Sequence, residues 1–438
     1  MPRAMNNRGE KKINYWLQAI GICLMFSLAV SAQEQTFDYR LEETPAVSWN
    51  ALPFVDARAV AVAGISLLAS PALSAAFNPA LIPAGPLQLT ATLKQVTHEA
   101  FQYWGVNQGV IAASGAQRDA DFGISAAAGT WGGKRFRLAA GYSLSAVLRF
   151  PDFEQRWNYE YDQYYSTSGT FSGKEDVFFA AAAWQPASFL TLGARLAYRS
   201  GQRRISLVDF DSSYYNIGGQ WVLREIAVGH SENHRTSLWA PALGFSLRLS
   251  PAWTFAAAFD YPLEGKAHRT VVQSFDNPAD RVDISIDQES RDSFSEPATL
   301  LVGTAYRFRL GGVSRADKFL RLAAETRATF WSDYRYEFFG QTQPRDLRNT
   351  VEAAVGMEYG AFTARRDFFV RFGFRRDPQP LRAAGATLSA WCGGIGGRWH
   401  RWSGDFGLAL YSGSVRGYAQ RHLLAVFTLG YAWKGEQS

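Results

Sequence analysis

Few residues in this chain are spaced for catalysis. His230 and His234 flank Ser231-Glu232-Asn233, but the stretch reads as a loop, and an i, i+4 histidine pair grips zinc from a helix face. Asp209 and Asp211 lack the glycine and the spacing of a calcium loop. Gly393 to Gly397 reads Gly-Gly-Ile-Gly-Gly without the strand-turn-helix context of a dinucleotide site. No Ser/His/acid set suggests a nucleophile and its base. The expectation is therefore no enzyme, no metal and no cofactor. What recurs instead is charge inside alternating stretches: Arg137, Arg195, Arg248, Arg307, Arg321, Arg327 and Arg371, with Glu325, Glu352 and Glu358. Such a set either forms a structural charge network or clamps a substrate carboxylate.

The elements that carry these charges have a period of two. In Arg135 to Phe150, one face holds Phe136, Leu138, Ala140, Tyr142, Leu144, Ala146, Leu148 and Phe150. The other holds small, polar or cationic residues. That is a strand with one apolar and one polar face, and at about 3.3 Å per residue it is roughly 50 Å long. The same phase returns in Leu190–Tyr198, Leu243–Leu247, Val351–Tyr359, Phe368–Phe374 and Leu423–Trp433. A soluble sandwich cannot bury arginines on the inner face of strand after strand. With the apolar face toward lipid and the polar face toward a wet lumen, the conflict disappears.

Connections between these stretches alternate in length. Short ones fall at 131–134, 185–188, 250–252, 309–318, 360–366 and 400–404. Longer, more polar ones fall at about 99–120, 151–176, 202–235, 262–296, 332–348, 377–385 and 412–421. Six short and seven long connections join fourteen strands, the layout of an all-β, antiparallel transmembrane β-barrel. A barrel in a bilayer must close, since an open edge leaves backbone groups unpaired in hydrocarbon. Trp131, Phe150, Trp184, Trp253, Tyr261, Trp331 and Trp433 near strand ends are candidates for interfacial girdles. Gly141, Gly193, Gly244 and Gly303 recur on the polar face. They either keep lumen space free or relieve crowding where strands bend.

Composition agrees. Aromatic residues make up 15% of the 438 residues and charged ones 19%, against about 25% charged in a typical soluble domain. The net charge is +6, and Arg3, Arg8, Lys11 and Lys12 against Glu10 account for half of it, so no nucleic-acid partner is indicated. Residues 1–32 read as a signal peptide: a basic start, an apolar run, and Val30-Ser31-Ala32 for cleavage. Cys392 would then be the mature chain's single cysteine, without an internal disulfide. Ala59 to Leu93 carries no charge, but Pro71, Pro79, Pro83 and Pro86 interrupt it. It reads as a buried, irregular or short-helical segment and not as a span.

Asp56-Ala57-Arg58-Ala59, followed by a small-residue stretch and Asn78-Pro79-Ala80, resembles the N-terminal plug of the FadL/TodX family of outer-membrane hydrophobic-compound transporters. Phrases such as "WQPASFLTLGARLAYRSG" and "FFVRFGFRRDPQP" are similar to strands of that family. Thr428 to Trp433 is close to a barrel-assembly signal, although Lys434 to Ser438 follow it. The resemblance implies fourteen strands closed by an N-terminal hatch over 33–86, with the barrel over 87–433 and a tail over 434–438. It places the protein in the outer membrane of a diderm bacterium, in contact with the lipid bilayer. It implies passive uptake of hydrophobic compounds such as long-chain fatty acids or hydrocarbons. Arg58, Asn78, Pro79 and Ala80 would form the hatch motif. Trp157, Tyr159, Tyr161, Tyr164 and Tyr165 either capture substrate or pack as a rim loop. Lumen-facing positions are Arg137, Gly141, Gly193, Arg195, Gly244, Arg248, Gly303, Arg307, Glu325, Glu352 and Arg371. The alternative is a PorV-like branch that carries substrate proteins of a secretion system as partners.

Overall fold

The computed structural model describes residues 56–433, except 101–105, 108–109, 112–116, 160–162, 218–219, 278–281, 311–316, 339–340, 343–346, 363–365, 379–386 and 416–417. The expected signal peptide, residues 33–55 of the expected hatch, and the tail lie outside the described residues. Fourteen strands form the wall: β1 (Gly85–Ala100), β2 (Gln117–Gly132), β3 (Phe136–Tyr159), β4 (Gln163–Ala187), β5 (Leu190–Ile217) and β6 (Gln220–Arg248). Three interrupted strands follow: β7 (Trp253–Asp260, then Gly265–Asn277), β8 (Val282–Ser295, then Thr299–Leu310) and β9 (Asp317–Thr329, then Arg335–Phe338). The ring continues with β10 (Thr350–Phe362), β11 (Arg366–Pro378), β12 (Thr387–Trp399), β13 (Trp402–Val415) and β14 (Tyr418–Ala432). Neighbours pair antiparallel throughout. Pairing of β14 with β1, from Gln88↔Ala432 to Glu99↔Arg421, closes the sheet on itself.

The alternation of the sequence becomes outside and inside. On β10, Val351, Ala353, Val355 and Met357 are exposed while Thr350, Glu352, Ala354 and Glu358 are buried. Outward Phe136, Leu138, Leu192, Leu196, Leu243 and Phe372 form an apolar belt, which is stable only against hydrocarbon. Exposed Trp131, Trp184, Trp253, Trp399, Trp402 and Trp433 ring the short-turn end, where amphipathic rings suit a membrane interface.

Three expectations need correction. Much of 151–176, 202–235, 262–296 and 412–421 is ladder: β5 and β6 stay paired as far as Ile217↔Gln220, and β3 with β4 as far as Tyr159↔Gln163. Ladder hydrogen bonds need only backbone, so strands continue after the two-faced side-chain pattern fades. Trp331 is no girdle residue; it is 4% exposed and sits in a 3₁₀ turn, Trp331–Asp333. Nor is the lumen wet at every level. Inward alanines of the wall, including Ala305, Ala323, Ala354, Ala390 and Ala409, pack dry against Val60, Val62, Ile65 and Leu68 of the hatch. Small inner side chains leave the width this needs.

The break in β7–β9 has a clear cause. Lower β7 pairs with β8 up to Asp260↔Thr299, and pairing resumes only at Gly265↔Phe294. Between β8 and β9 it stops at Thr299↔Thr329 and resumes at Ser295↔Arg335. Pro262 and Pro297 fall in the gap, and proline has no N–H to give a ladder. Outward Phe259, Tyr261, Leu263 and Leu300 around the gap are exposed and apolar.

Candidate ligand site above the hatch

The hatch, residues 56–84, is built from short turns because its prolines forbid a long helix. Helix α1 (Ala57–Ala61) starts at Asp56, whose Oδ1 accepts from Ala59 N at 2.8 Å. The other oxygen accepts from Ser70 N at 3.1 Å and so staples the next turn. The helix ends where Ala63 and Gly64 take φ of 60° and 81°. Gly64 supplies this left-handed geometry at little cost, and its N–H donates to Ala59 O at 2.7 Å. Three 3₁₀ turns follow: Ser66–Leu68, Ser74–Ala76 and Pro79–Leu81.

Side chains from around the ring hold this segment. Ala57 N donates to Thr428 Oγ1 at 2.8 Å. Arg58 meets Glu358 at 2.9 Å. Glu325 accepts from Ser66 N at 2.8 Å and from its hydroxyl at 2.5 Å. Arg137 donates to Ile82 O at 3.0 Å, and Arg195 to Ala76 O. Asn78 caps the last turn, with Oδ1 accepting from Ala80 N at 2.9 Å while Nδ2 donates to Ala257 O of the wall at 3.0 Å.

Glycines make room for these contacts. A Cβ on Gly193 would overlap the Pro79–Ala80 peptide, and one on Gly244 would overlap Asn78 Oδ1. A Cβ on Gly303 would press on Leu67 and Glu325 at 3.2 and 3.3 Å, tighter than ordinary contact, whereas Gly141 is crowded by the wall residues Ala127, Ala128 and Phe179.

Inner charges gather in two clusters. One surrounds Glu358, which takes Arg371 Nε at 2.7 Å, Arg58, and Arg321 at 3.6 Å; Arg371 also donates to Asp405 at 2.5 Å. The other joins Arg195 and Arg199 to Asp260 at 2.6 and 2.9 Å, and Arg199 to Glu296 at 2.6 Å. Glu352 is paired with Arg375, and Arg327 stands 4.0 Å from it. Arg307 joins neither; its guanidinium lies over the Phe319 ring at 4.3 Å. Arg248 is exposed near the short-turn end of β6. The backbones of Trp157 and Tyr165 are cross-strand partners, as are Asn158 with Tyr164 and Tyr159 with Gln163. Tyr161 and the side chains of Trp157, Tyr159, Tyr164 and Tyr165 lie outside the described residues.

Beside the second cluster lies a cavity of about 200 Å³. Its floor is Ala76 and Phe77 of the hatch, Val177, Phe179 and Leu301 supply apolar wall, and Trp331 fills its side at the ladder break. Asp260, Glu296 and Pro297, which frame the break, also line it. Sequence reasoning missed Asp260, Glu296, Glu175 and Phe77. The available signal was an inward carboxylate just before a proline-interrupted strand, as in Asp260-Tyr261-Pro262 and Glu296-Pro297.

No family model matches this sequence, and no curated protein matches it. Solved structures do. The CymD monoaromatic hydrocarbon channel superposes with a TM-score of 0.61 at 13% identity, over 88% of this chain and 99% of that one. A Pseudomonas aeruginosa FadL homologue gives 0.56 at 14%, over 87% and 99%. The Pseudomonas putida toluene transporter TodX gives 0.51 at 13%, over 88% and 100%. At such identities the likeness is one of architecture, and together with the closed ring and the hatch it establishes that this chain has the FadL-like outer-membrane transporter fold.

Proposed function

We propose that the protein is a passive channel for small hydrophobic compounds in the outer membrane of a diderm bacterium. The observation that carries this reading is the cavity that has the hatch as its floor and the proline break of β7–β9 as its side. An apolar solute would enter from the long-hairpin end and rest on Phe77, Phe179 and Leu301, where burial of its surface is favourable. The break offers a route out that disrupts few ladder hydrogen bonds, because Pro262 and Pro297 have already removed them. The neighbours named above are channels or transporters of toluene and monoaromatic hydrocarbons, or a FadL homologue, which supports the same reading.

The test is to fill the cavity. Ala258 lines it and is 5% exposed, so Ala258→Phe places a ring where the solute would rest. Uptake of a radiolabelled apolar compound by cells producing the variant is expected to fall at least tenfold, with the barrel still folded by heat-modifiable gel mobility. Undiminished uptake through a folded variant would exclude this cavity as the route.

A further inference from the structure

Resting on that reading, we propose that the preferred solute is an apolar body with a cationic head, a protonated amine or a quaternary ammonium, and that the head pairs with Glu175. Charge is the first ground. Each guanidinium in the cavity wall has a carboxylate within 4.0 Å. Arg195 has Asp260, Arg199 has Asp260 and Glu296, and Arg327 has Glu352. Glu175 lines the same cavity, and among the described residues it forms no ion pair and no hydrogen bond. Arg199 is within its electrostatic reach but already serves two carboxylates. Asp260 Oδ1, also at the cavity, is enclosed without a hydrogen-bond partner.

The surroundings do not make up the difference. Arg375, outside the lining, pairs with Glu352. Glu325 and Asp377 stand within electrostatic reach of both Arg375 and Arg327. Six carboxylates thus face four guanidiniums, so a proton held among them still leaves a carboxylate to spare. Arg327 is shared by Glu352, Glu325, Asp377 and Asp260 and has no charge left for a solute carboxylate. Arg195 Nε lacks a partner, but its guanidinium is met by Asp260 and the Ala76 carbonyl. An anionic head would add to the excess, and a hydrocarbon would desolvate Glu175 without pairing it. A cationic head supplies the missing partner.

The aromatic lining is the second ground. Phe77, Phe179 and Trp331 share the cavity with Glu175, Asp260 and Glu296. Ring faces attract cations, and aromatic residues beside a carboxylate are the chemistry that recognises ammonium groups. The same rings, with Val177 and Leu301, bury the apolar body.

The full-length protein in nanodiscs of zwitterionic lipid, with empty discs as reference, would be dialysed to equilibrium against benzyltrimethylammonium, its uncharged carbon isostere neopentylbenzene, and 3-phenylpropanoate. The ammonium is expected to bind at least about tenfold tighter than the carboxylate, the low end for pairing with a desolvated charge. Glu175→Gln should weaken the ammonium about tenfold and leave neopentylbenzene within about twofold, while Glu175→Asp keeps most of the ammonium affinity. If the Gln variant does not fold, the comparison of ammonium with carboxylate on the wild type still decides. An ammonium that binds no tighter than the carboxylate, or whose affinity is unmoved in a folded Glu175→Gln, would overturn the cationic head while retained binding of neopentylbenzene left hydrophobic uptake standing. Binding of none of the three would remove the cavity as a solute site, and both readings with it.

Discussion

Glu358 on β10 and Arg371 on β11 are direct cross-strand partners, joined at 2.7 Å with each side chain 1% exposed. Arg58 reaches the same carboxylate from the hatch. A fully buried ion pair contributes little net stability against an apolar substitute, but removing one member strands the other. Here Arg371 would keep only Asp405, and the guanidiniums of Arg371, Arg58 and Arg321 would lose the carboxylate they share.

Glu358→Ala should therefore cost about 3–5 kcal/mol, read as a lowered urea midpoint for the protein in lipid vesicles. Arg58→Ala removes a group 16% exposed and leaves Arg371 and Glu358 paired, so it should cost less than half as much. Its larger effect should be faster proteolysis of the hatch. Equal losses in the two variants would mean that the pair does not depend on burial in this way.

Gly193 and Gly244 face the Asn78-Pro79-Ala80 turn too closely for any side chain. Gly193→Val would drive the turn away from β5 at a cost of about 1–3 kcal/mol. Displacement of the plug should appear as higher conductance in planar bilayers. Gly141→Ala, crowded only by wall residues, should leave conductance at the wild-type level. A closed, wild-type pore in Gly193→Val would show that the turn does not depend on this clearance.

The architecture was legible because a bilayer imposes one demand on every strand: apolar out, polar or small in. That demand gives Leu192, Leu196, Val351 and Phe372 one phase, and it yields fourteen strands from turn spacing alone. Strand ends were not legible. Beyond the bilayer, water faces both sides, so β5 and β6 run on to Ile217 and Gln220 with no alternation to mark them. The hatch turn was visible as Asn78-Pro79-Ala80, but its partners were not, since Gly193 and Gly244 lie over a hundred positions away. The cavity was the least visible part. It depends on where Pro262 and Pro297 fall against each other across the sheet, and register is a property of pairing, not of either stretch alone.

Asp56 gives the hatch a pH response. Burial pushes its carboxyl above the ordinary value of 3.8, against the hydrogen bonds from Ala59 and Ser70 that favour the ion. Between 3.8 and the raised value, the folded protein holds this proton more tightly than the unfolded chain does. Stability from this group is therefore greatest below 3.8 and falls as pH rises through that window, after which the full cost of a buried ion remains. Asp56→Asn is neutral throughout and can still cap Ala59 N, though its amide cannot accept from Ser70 N at the same time. Other carboxylates titrate alike in both proteins, so the difference between them isolates Asp56. Urea midpoints of the two, taken from pH 4 to 8, should show the wild type losing ground to the variant as pH rises. A difference that stays constant across the range would show that Asp56 has no raised value.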